Sequence, residues 1–467
     1  MKSNKQYAFM IAATGSGVGK TSVSTALCAA FIARGMSVQC FKAGPDFLDP
    51  TFSTALTGRP CYNLDIWMCG EEYCRELFEH KSEGADVVVV EGVMGLYDGA
   101  DSSSDYGSSA HLARLLDIPV LLLIDVRGNA RTAAAVVHGM VNFPNAPKVA
   151  SVIANRVGSP AHGQIIDTAL RSVNLSPLAG AVVRGAFPEI ASRHLGLMPI
   201  DPLSVENRFY DNFAQAAEEH LAIDSILSLT EKRTASADDI ITRKQIQEDT
   251  TKRVRMAIAR DEAFFFYYAD DLERLTSEGV ELVPFSPLHD EILPHDIDAL
   301  WIGGGYPEEH AAKLSRNSAM RSSIRQFAEN GGVVYAECGG YMYIGNGIFD
   351  REEKYYEMCG VLPVKYSMRK KISRLSYAEV TFKTDTFFGP AGTECRGHEF
   401  HYSDIVARTE KSNAAYSVSY RKGGSTEEQG CSYKNVIAGY VHLHLSSHPF
   451  ALKYFVSFVE KNITENL

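Results

Sequence analysis

The chain has 467 residues, 45% hydrophobic and 22% charged, ordinary globular proportions that exclude wholesale disorder and leave room for two or three domains at roughly 150 residues each. Lys and Arg number 46 against 57 Asp and Glu, a formal charge of −11, so wrapping nucleic acid is not expected and an anionic ligand needs local cations and backbone N–H groups. No apolar run reaches the roughly 18 residues of a membrane helix. The nine cysteines have neither CxxC nor finger spacing, so the chain reads as a reduced, cytoplasmic protein without secretion signal, disulfide framework or zinc site.

From Tyr7 to about Ile200, short apolar runs alternate with helical stretches. YAFMIAA, VQCFKAG, ADVVVVEG, PVLLLID and VASVIAN read as buried strands, and helices are predicted over Thr21–Arg34 and Ser108–Leu116. This pattern predicts an α/β fold with a doubly wound parallel sheet, whose ligands gather at the carboxyl ends of the strands.

The first strand runs into Thr14-Gly15-Ser16-Gly17-Val18-Gly19-Lys20-Thr21 and then a helix, the context of a P-loop. Backbone N–H groups of Gly15, Ser16, Gly17, Val18 and Gly19 are expected to cradle phosphates, Lys20 to reach the β/γ-phosphates, and the Thr21 hydroxyl to ligate Mg²⁺. Lys42-Ala43-Gly44-Pro45-Asp46-Phe47-Leu48-Asp49 follows the second strand, and Glu91-Gly92-Val93-Met94-Gly95-Leu96-Tyr97-Asp98 follows the valine-rich one. Asp46, Asp49 and Glu91 are candidate Mg²⁺ ligands, because carboxylates at strand ends beside a P-loop suit a cation that offsets the phosphate charge. Asp98 lies seven residues beyond Glu91 and is assigned to the substrate side. Asn155, at another strand end, is a candidate reader of the adenine edge.

Ser228–Arg253 is polar, charged and without apolar periodicity. It divides the chain into a domain over 1–230, a linker over 231–252 and a domain over 253–467. VRMAIARD, VELVPF, DALWIGGG and VVYAEC then begin a second alternating series, followed by the strand-like SYAEVTF and NAAYSVSY. Val333-Val334-Tyr335-Ala336-Glu337-Cys338-Gly339-Gly340 reads as a strand, a cysteine and a sharp turn into a helix, a nucleophile elbow whose helix N-terminus is expected to lower the thiol pKa. His442 and His444 are both candidates for its base. The glycines of Trp301-Ile302-Gly303-Gly304-Gly305 end another strand and offer N–H groups for an oxyanion hole.

With these motifs in hand, the whole chain resembles the cobyrinic acid a,c-diamide synthase family, and its N-terminal half is similar to dethiobiotin synthetase-type P-loop proteins. TGSGVGKTS, FKAGPDFLDP, VVEGVMGLYDG, VIANRV, RHLGL, WIGGGYPEEH, YAECGGYMY, RGHEFHYS and GYVHLH carry the resemblance, in the family's order. It implies a ligase with an ATP-dependent amidoligase domain and a class I-like glutaminase domain, with ATP and Mg²⁺ as co-substrate and cofactor. Glutamine and a corrin polycarboxylate are the other small-molecule partners; neither nucleic acid nor membrane is expected, and a homodimer stays open.

The resemblance places Cys338 as glutaminase nucleophile and His442 as its base, with Gly304, Gly305 and Gly339 holding the oxyanion. Lys42, Phe47, Leu48 and Tyr97 fall on the substrate loops, and Asp98 is given a catalytic part. Class I amidotransferases usually carry His-x-Glu where this sequence has His442-Leu443-His444, so the triad acid is missing. Leu375-Ser376-Tyr377-Ala378 stands where the family pattern has Leu-Gly-Tyr-Arg, just after a basic run of Arg369, Lys370, Lys371 and Arg374. The implied reaction amidates the a and c acetates of cobyrinic acid through acyl phosphates. Hydrogenobyrinic acid and nickel sirohydrochlorin are alternative substrates for the same chemistry. A partitioning-type P-loop ATPase with a degenerate glutaminase half is the alternative of a different class, although Thr14 and Gly15 stand where its signature lysine is sought.

Overall fold

Val87–Val90 are buried on both faces of their strand, as a run of β-branched residues inside a parallel sheet must be. The computed structural model describes residues 5–189, 207–232, 254–408, 413–421 and 426–465. The chain divides into two units, Met1–Gln245 and Ile246–Leu467. RHLGL and most of the expected linker lie outside the described residues.

In the first unit β1 (Gln6–Ala13), β2 (Val38–Ala43), β3 (Tyr62–Leu64), β4 (Val87–Glu91), β5 (Val120–Asp125), β6 (Val149–Val157) and β7 (Leu178–Val183) run parallel in the order β3-β2-β4-β1-β5-β6-β7. The five predicted strands are all present. β3 and β7 were not evident in the sequence, because one has three residues and the other is mainly small ones. β8 (Glu231–Lys232) adds antiparallel to β1, so the first two residues of the expected linker belong to the sheet. α1 (Lys20–Ala33) and the helix Ser109–Leu115 fall where helices were predicted. α1 has no acidic residue in its first turn, which leaves its positive end to an anion.

In the second unit β9 (Val254–Ala259), β11 (Val280–Phe285), β12 (Ala299–Ile302) and β14 (Val333–Glu337) form a parallel sheet with the strand Val436–Gly439, in the order β11-β9-β12-β14-436–439. β10 (Phe264–Phe266) and β13 (Gly304–Gly305) form a small antiparallel pair beside it. A separate antiparallel sheet contains Arg374–Phe382, Glu394–His401, Tyr416–Tyr420 and Val441–Leu443. Among the described residues no helix is long and apolar enough to cross a membrane.

Candidate active sites

In the first unit, residues 14–19 join β1 to α1. Gly19 has φ 105°, and a Cβ there would lie 2.5 Å from Asn155 Nδ2, so both backbone conformation and space require glycine. Asn155 donates to Val18 O at 2.7 Å, and its Oδ1 accepts from Arg156 N at 2.8 Å. The amide expected to read adenine thus also holds the loop. Arg156, in the left-handed region at φ 61°, donates to Gly17 O at 2.8 Å and to Asp125 Oδ2 at 2.6 Å. The Arg156–Asp125 brace was not anticipated; its sequence trace is only that both residues stand at strand ends.

Lys20 Nζ donates to Gly15 O at 3.1 Å and Met94 O at 2.5 Å, across the mouth of the loop. Thr21 Oγ1 donates to Glu91 Oε1 at 2.9 Å, and Ser24 Oγ donates to Glu91 Oε2. Strand register puts Lys42 beside Glu91, and Lys42 Nζ meets Asp49 Oδ2 at 2.5 Å, Glu91 Oε1 at 2.8 Å and Asp46 Oδ2 at 4.0 Å. Burial opposes the ammonium charge, but the Glu91, Asp49 and Asp46 carboxylates outweigh it and hold its pKa above the ordinary value. Burial likewise raises the Glu91 carboxyl, with Lys42 opposing.

Lys42 was expected on the substrate side. Its ammonium sits among the carboxylates expected to bind Mg²⁺, because buried opposite charges on adjacent strand ends must pair. The Thr21 hydroxyl and the carboxylates of Asp46, Asp49 and Glu91 are hard oxygen donors that already attract one cation, so the set fits Mg²⁺. Asp46 also accepts from the N–H groups of Leu48 and Asp49 at the start of the helix Leu48–Thr57.

Of the remaining predicted residues, Phe47 is buried and Leu48 half-buried. The Tyr97 hydroxyl donates to Met140 O, and its ring packs on Phe143 at 4.6 Å. Asp98 is exposed, with Oδ2 accepting from Gly95 N at 2.8 Å.

In the second unit Cys338 stands between β14 and the helix Gly339–Ile344 with φ 48° and ψ −99°, a strained elbow for a non-glycine residue. Its N–H donates to Gly439 O at 2.7 Å. The thiol was expected to be acidified. Burial instead pushes it up, with the Glu308 and Glu399 carboxylates adding to the shift and only the Gly339 N–H working against it. A six-residue helix end is too weak to offset desolvation.

The predicted oxyanion residues surround this turn. A Cβ on Gly339 would lie 3.0 Å from Gly305 N, and one on Gly304 would lie 2.2 Å from His442 Cε1. Gly304, Gly305, Gly339 and His442 are therefore brought together, whereas Gly303 N is taken by the Tyr267 hydroxyl at 2.8 Å. Burial holds the His442 imidazole well below its ordinary pKa, with His398 and His401 adding to the effect. His442 thus starts as the neutral base the chemistry needs. Burial also pushes the Glu308 carboxyl up to about 7. Glu308 lies in the GGGYPE turn, but nothing in the sequence distinguished it from its neighbour Glu309.

A P-loop with a carboxylate cluster on one unit, and a strand-end cysteine with a histidine on the other, define a glutamine-dependent, amide-forming ligase. Residues 9–197 match the CobQ/CobB/MinD/ParA nucleotide binding domain, and residues 255–450 match the CobB/CobQ-like glutamine amidotransferase domain. The chain is 45% identical to a cobyrinate a,c-diamide synthase of Syntrophotalea carbinolica, covering 96% of this chain and 98% of that protein. It is 38% identical to proteins of the same name from Leptospira interrogans (96% and 97% covered) and Dehalococcoides mccartyi (96% and 97%). The chain belongs to the cobyrinate a,c-diamide synthase family.

Proposed function

We propose that this chain uses ATP and glutamine to amidate the a and c acetate carboxylates of cobyrinic acid, giving the a,c-diamide in cobalamin biosynthesis. The end-to-end similarity to diamide synthases, through both the nucleotide-binding and the amidotransferase halves, carries this reading. The amidoligase half is assigned to 1–230 with the added sheet residues 231–232, and the glutaminase half to 253–467, joined by the rest of the linker.

In the glutaminase half Cys338 Sγ attacks the carboxamide carbon of glutamine while His442 takes the thiol proton. The Gly304, Gly305 and Gly339 N–H groups stabilise the oxyanion. Collapse breaks the C–N bond, His442 returns its proton to the leaving ammonia, and water hydrolyses the Cys338 thioester to glutamate.

In the amidoligase half a carboxylate oxygen attacks the γ-phosphorus of ATP and ADP leaves. Residues Gly15 to Gly19 and Lys20 neutralise the charge on the transferred phosphoryl. Activation is required because a carboxylate is no electrophile for an amine. Ammonia then attacks the acyl carbon and phosphate leaves, once per acetate. Mg²⁺, when bound, supplies charge neutralisation between the phosphates and the substrate carboxylate. Thr21, Asp46, Asp49 and Glu91 would hold it, Asn155 serves the adenine, and Lys42, Phe47, Leu48, Tyr97 and Asp98 belong to the substrate side.

The partners are small molecules, without nucleic acid or membrane. The reaction fits a cytoplasmic enzyme, and a homodimer is compatible with it and is read by light scattering. Incubation with ATP, glutamine and, separately, cobyrinic acid, hydrogenobyrinic acid or nickel sirohydrochlorin, followed by mass spectrometry, tests the assignment. Cobyrinic acid is expected to give the diamide. ATP turnover without amide from it would refute the reading.

A further inference from the structure

A histidine that takes a proton in a buried site becomes a buried cation, and an uncompensated buried charge is costly. Triads meet this cost with a carboxylate that orients the ring and offsets its charge. In this chain the residue two beyond the base is His444.

A column of buried side chains leads away from His442. His398 stands opposite His442 in the ladder between Glu394–His401 and Val441–Leu443, and the two rings stack with centroids 5.1 Å and planes 18° apart. His398 Nδ1 lies 3.0 Å from the Tyr268 hydroxyl. The Tyr268 ring stacks on His444 at 4.4 Å and 24°. His444 Nε2 lies 3.5 Å from Asp270 Oδ2, and its Nδ1 lies 3.4 Å from Asp271 Oδ1. None of these side chains is more than 6% exposed.

Both ends of the column are anchored. The His444 N–H donates to Arg396 O at 3.0 Å on the strand that carries His398. Asp271 accepts from Leu445 N at 2.9 Å and Ser446 N at 3.2 Å, fixing the helix Ala269–Ser277 to the segment after His444. Two carboxylates, Asp270 and Asp271, thus pack around the one imidazole of His444 at the far end of the column.

We propose that Asp270, His444, Tyr268 and His398 act together as the positioning device of His442, holding its ring by stacking and placing the two-carboxylate cluster where it offsets the imidazolium formed as Cys338 loses its proton. This rests on Cys338 and His442 being the glutaminase pair. It adds positioning residues and no new chemical step: the only proton transfer is from Cys338 to His442 and on to ammonia. It also accounts for the absence of a carboxylate at position 444, since a glutamate there would crowd a third negative charge against Asp270 and Asp271.

The test compares glutamine hydrolysis by the full-length wild type, Tyr268→Phe, Asp270→Asn and Cys338→Ser, with melting curves for each. Tyr268→Phe removes one oxygen and keeps the ring stack, so it tests the column even if Asp270→Asn fails to fold. The expected result for Tyr268→Phe is a kcat lower by about 10-fold, with KM for glutamine and the melting temperature unchanged. Asp270→Asn, where folded, is expected to lose about 10²-fold in kcat with KM again unchanged. A Tyr268→Phe kcat within twofold of wild type overturns the proposal. So does a loss in which KM rises and melting temperature falls together with kcat, because that is a packing defect. Glutamine hydrolysis retained by Cys338→Ser would instead bring down the glutaminase reading itself, independently of the column.

Discussion

Lys42 and Glu91 face each other across adjacent parallel strands, ammonium to carboxylate at 2.8 Å, at the carboxyl edge where the P-loop also opens. The cluster around them sets three carboxylates, Asp46, Asp49 and Glu91, against one ammonium, so altering one member shifts how strongly the others hold a cation. Glu91→Gln is expected to raise the Mg²⁺ concentration for half-maximal amidation by about 10-fold, on the scale of roughly 1.4 kcal/mol. Asp98→Asn should leave the Mg²⁺ requirement and ATP affinity unchanged and accumulate monoamide. Mg²⁺ titrations and product masses for both variants check this. An identical Mg²⁺ defect in the two, or diamide formed at the normal rate by Asp98→Asn, would refute the division of roles.

Lys20→Ala should abolish amidation with either nitrogen donor, by about 10²–10³-fold or more, because both routes need the acyl phosphate. Glutamine hydrolysis should persist. Amidation retained with ammonium chloride would end the case for activation by ATP.

Cys338→Ser should lower glutamine-dependent amidation by about 10³-fold or more while ammonium-dependent amidation stays within a few-fold of wild type. The two donors assayed side by side at saturating ATP measure it. Equal loss with both would mean that the cysteine serves the fold and not the chemistry.

Gly304→Ala would place a methyl 2.2 Å from His442 Cε1. The methyl and the imidazole cannot both keep these places, so the ring is expected to be displaced. Glutaminase kcat should fall by about 10²-fold with ammonium-dependent amidation intact, and a variant with normal glutaminase activity would disprove the close approach.

Burial, with His444 adding, holds His398 down to about 3 from an ordinary 6.5. Between these values the unfolded chain binds a proton that the folded chain refuses. The contribution of this residue is therefore complete above about pH 6.5 and declines on acidification, with a slope of up to about 1.4 kcal/mol per pH unit. Between pH 7 and pH 5 the melting temperature of the wild type should fall relative to that of His398→Gln. Parallel curves for the two proteins would contradict the shift.

Much of this was legible along the chain. Glycine spacing, the lysine and threonine after it, and carboxylates at strand ends announce a phosphate site because local backbone geometry makes it. The strand-Cys338-Gly-Gly pattern announces an elbow for the same reason. The placement of Lys42 among Asp46, Asp49 and Glu91 was not legible, because register between β2 and β4 decides it. The Arg156 brace was hidden likewise, since it joins the ends of β5 and β6 to the loop after β1. The direction of the Cys338 shift was misjudged because helix polarity is local and desolvation is not.

By itself, the sequence determined the two α/β halves, the P-loop and the Cys338 turn, features set by residues within a few positions of one another. Tertiary structure alone decided what stands behind His442. Asp270, Tyr268, His398 and His444 come from three segments far apart in the chain. They meet because strand pairing puts His398 opposite His442 and hydrogen bonds pin the helix Ala269–Ser277 to residues 445–446. Burying two carboxylates is tolerable only where such packing brings an imidazole between them.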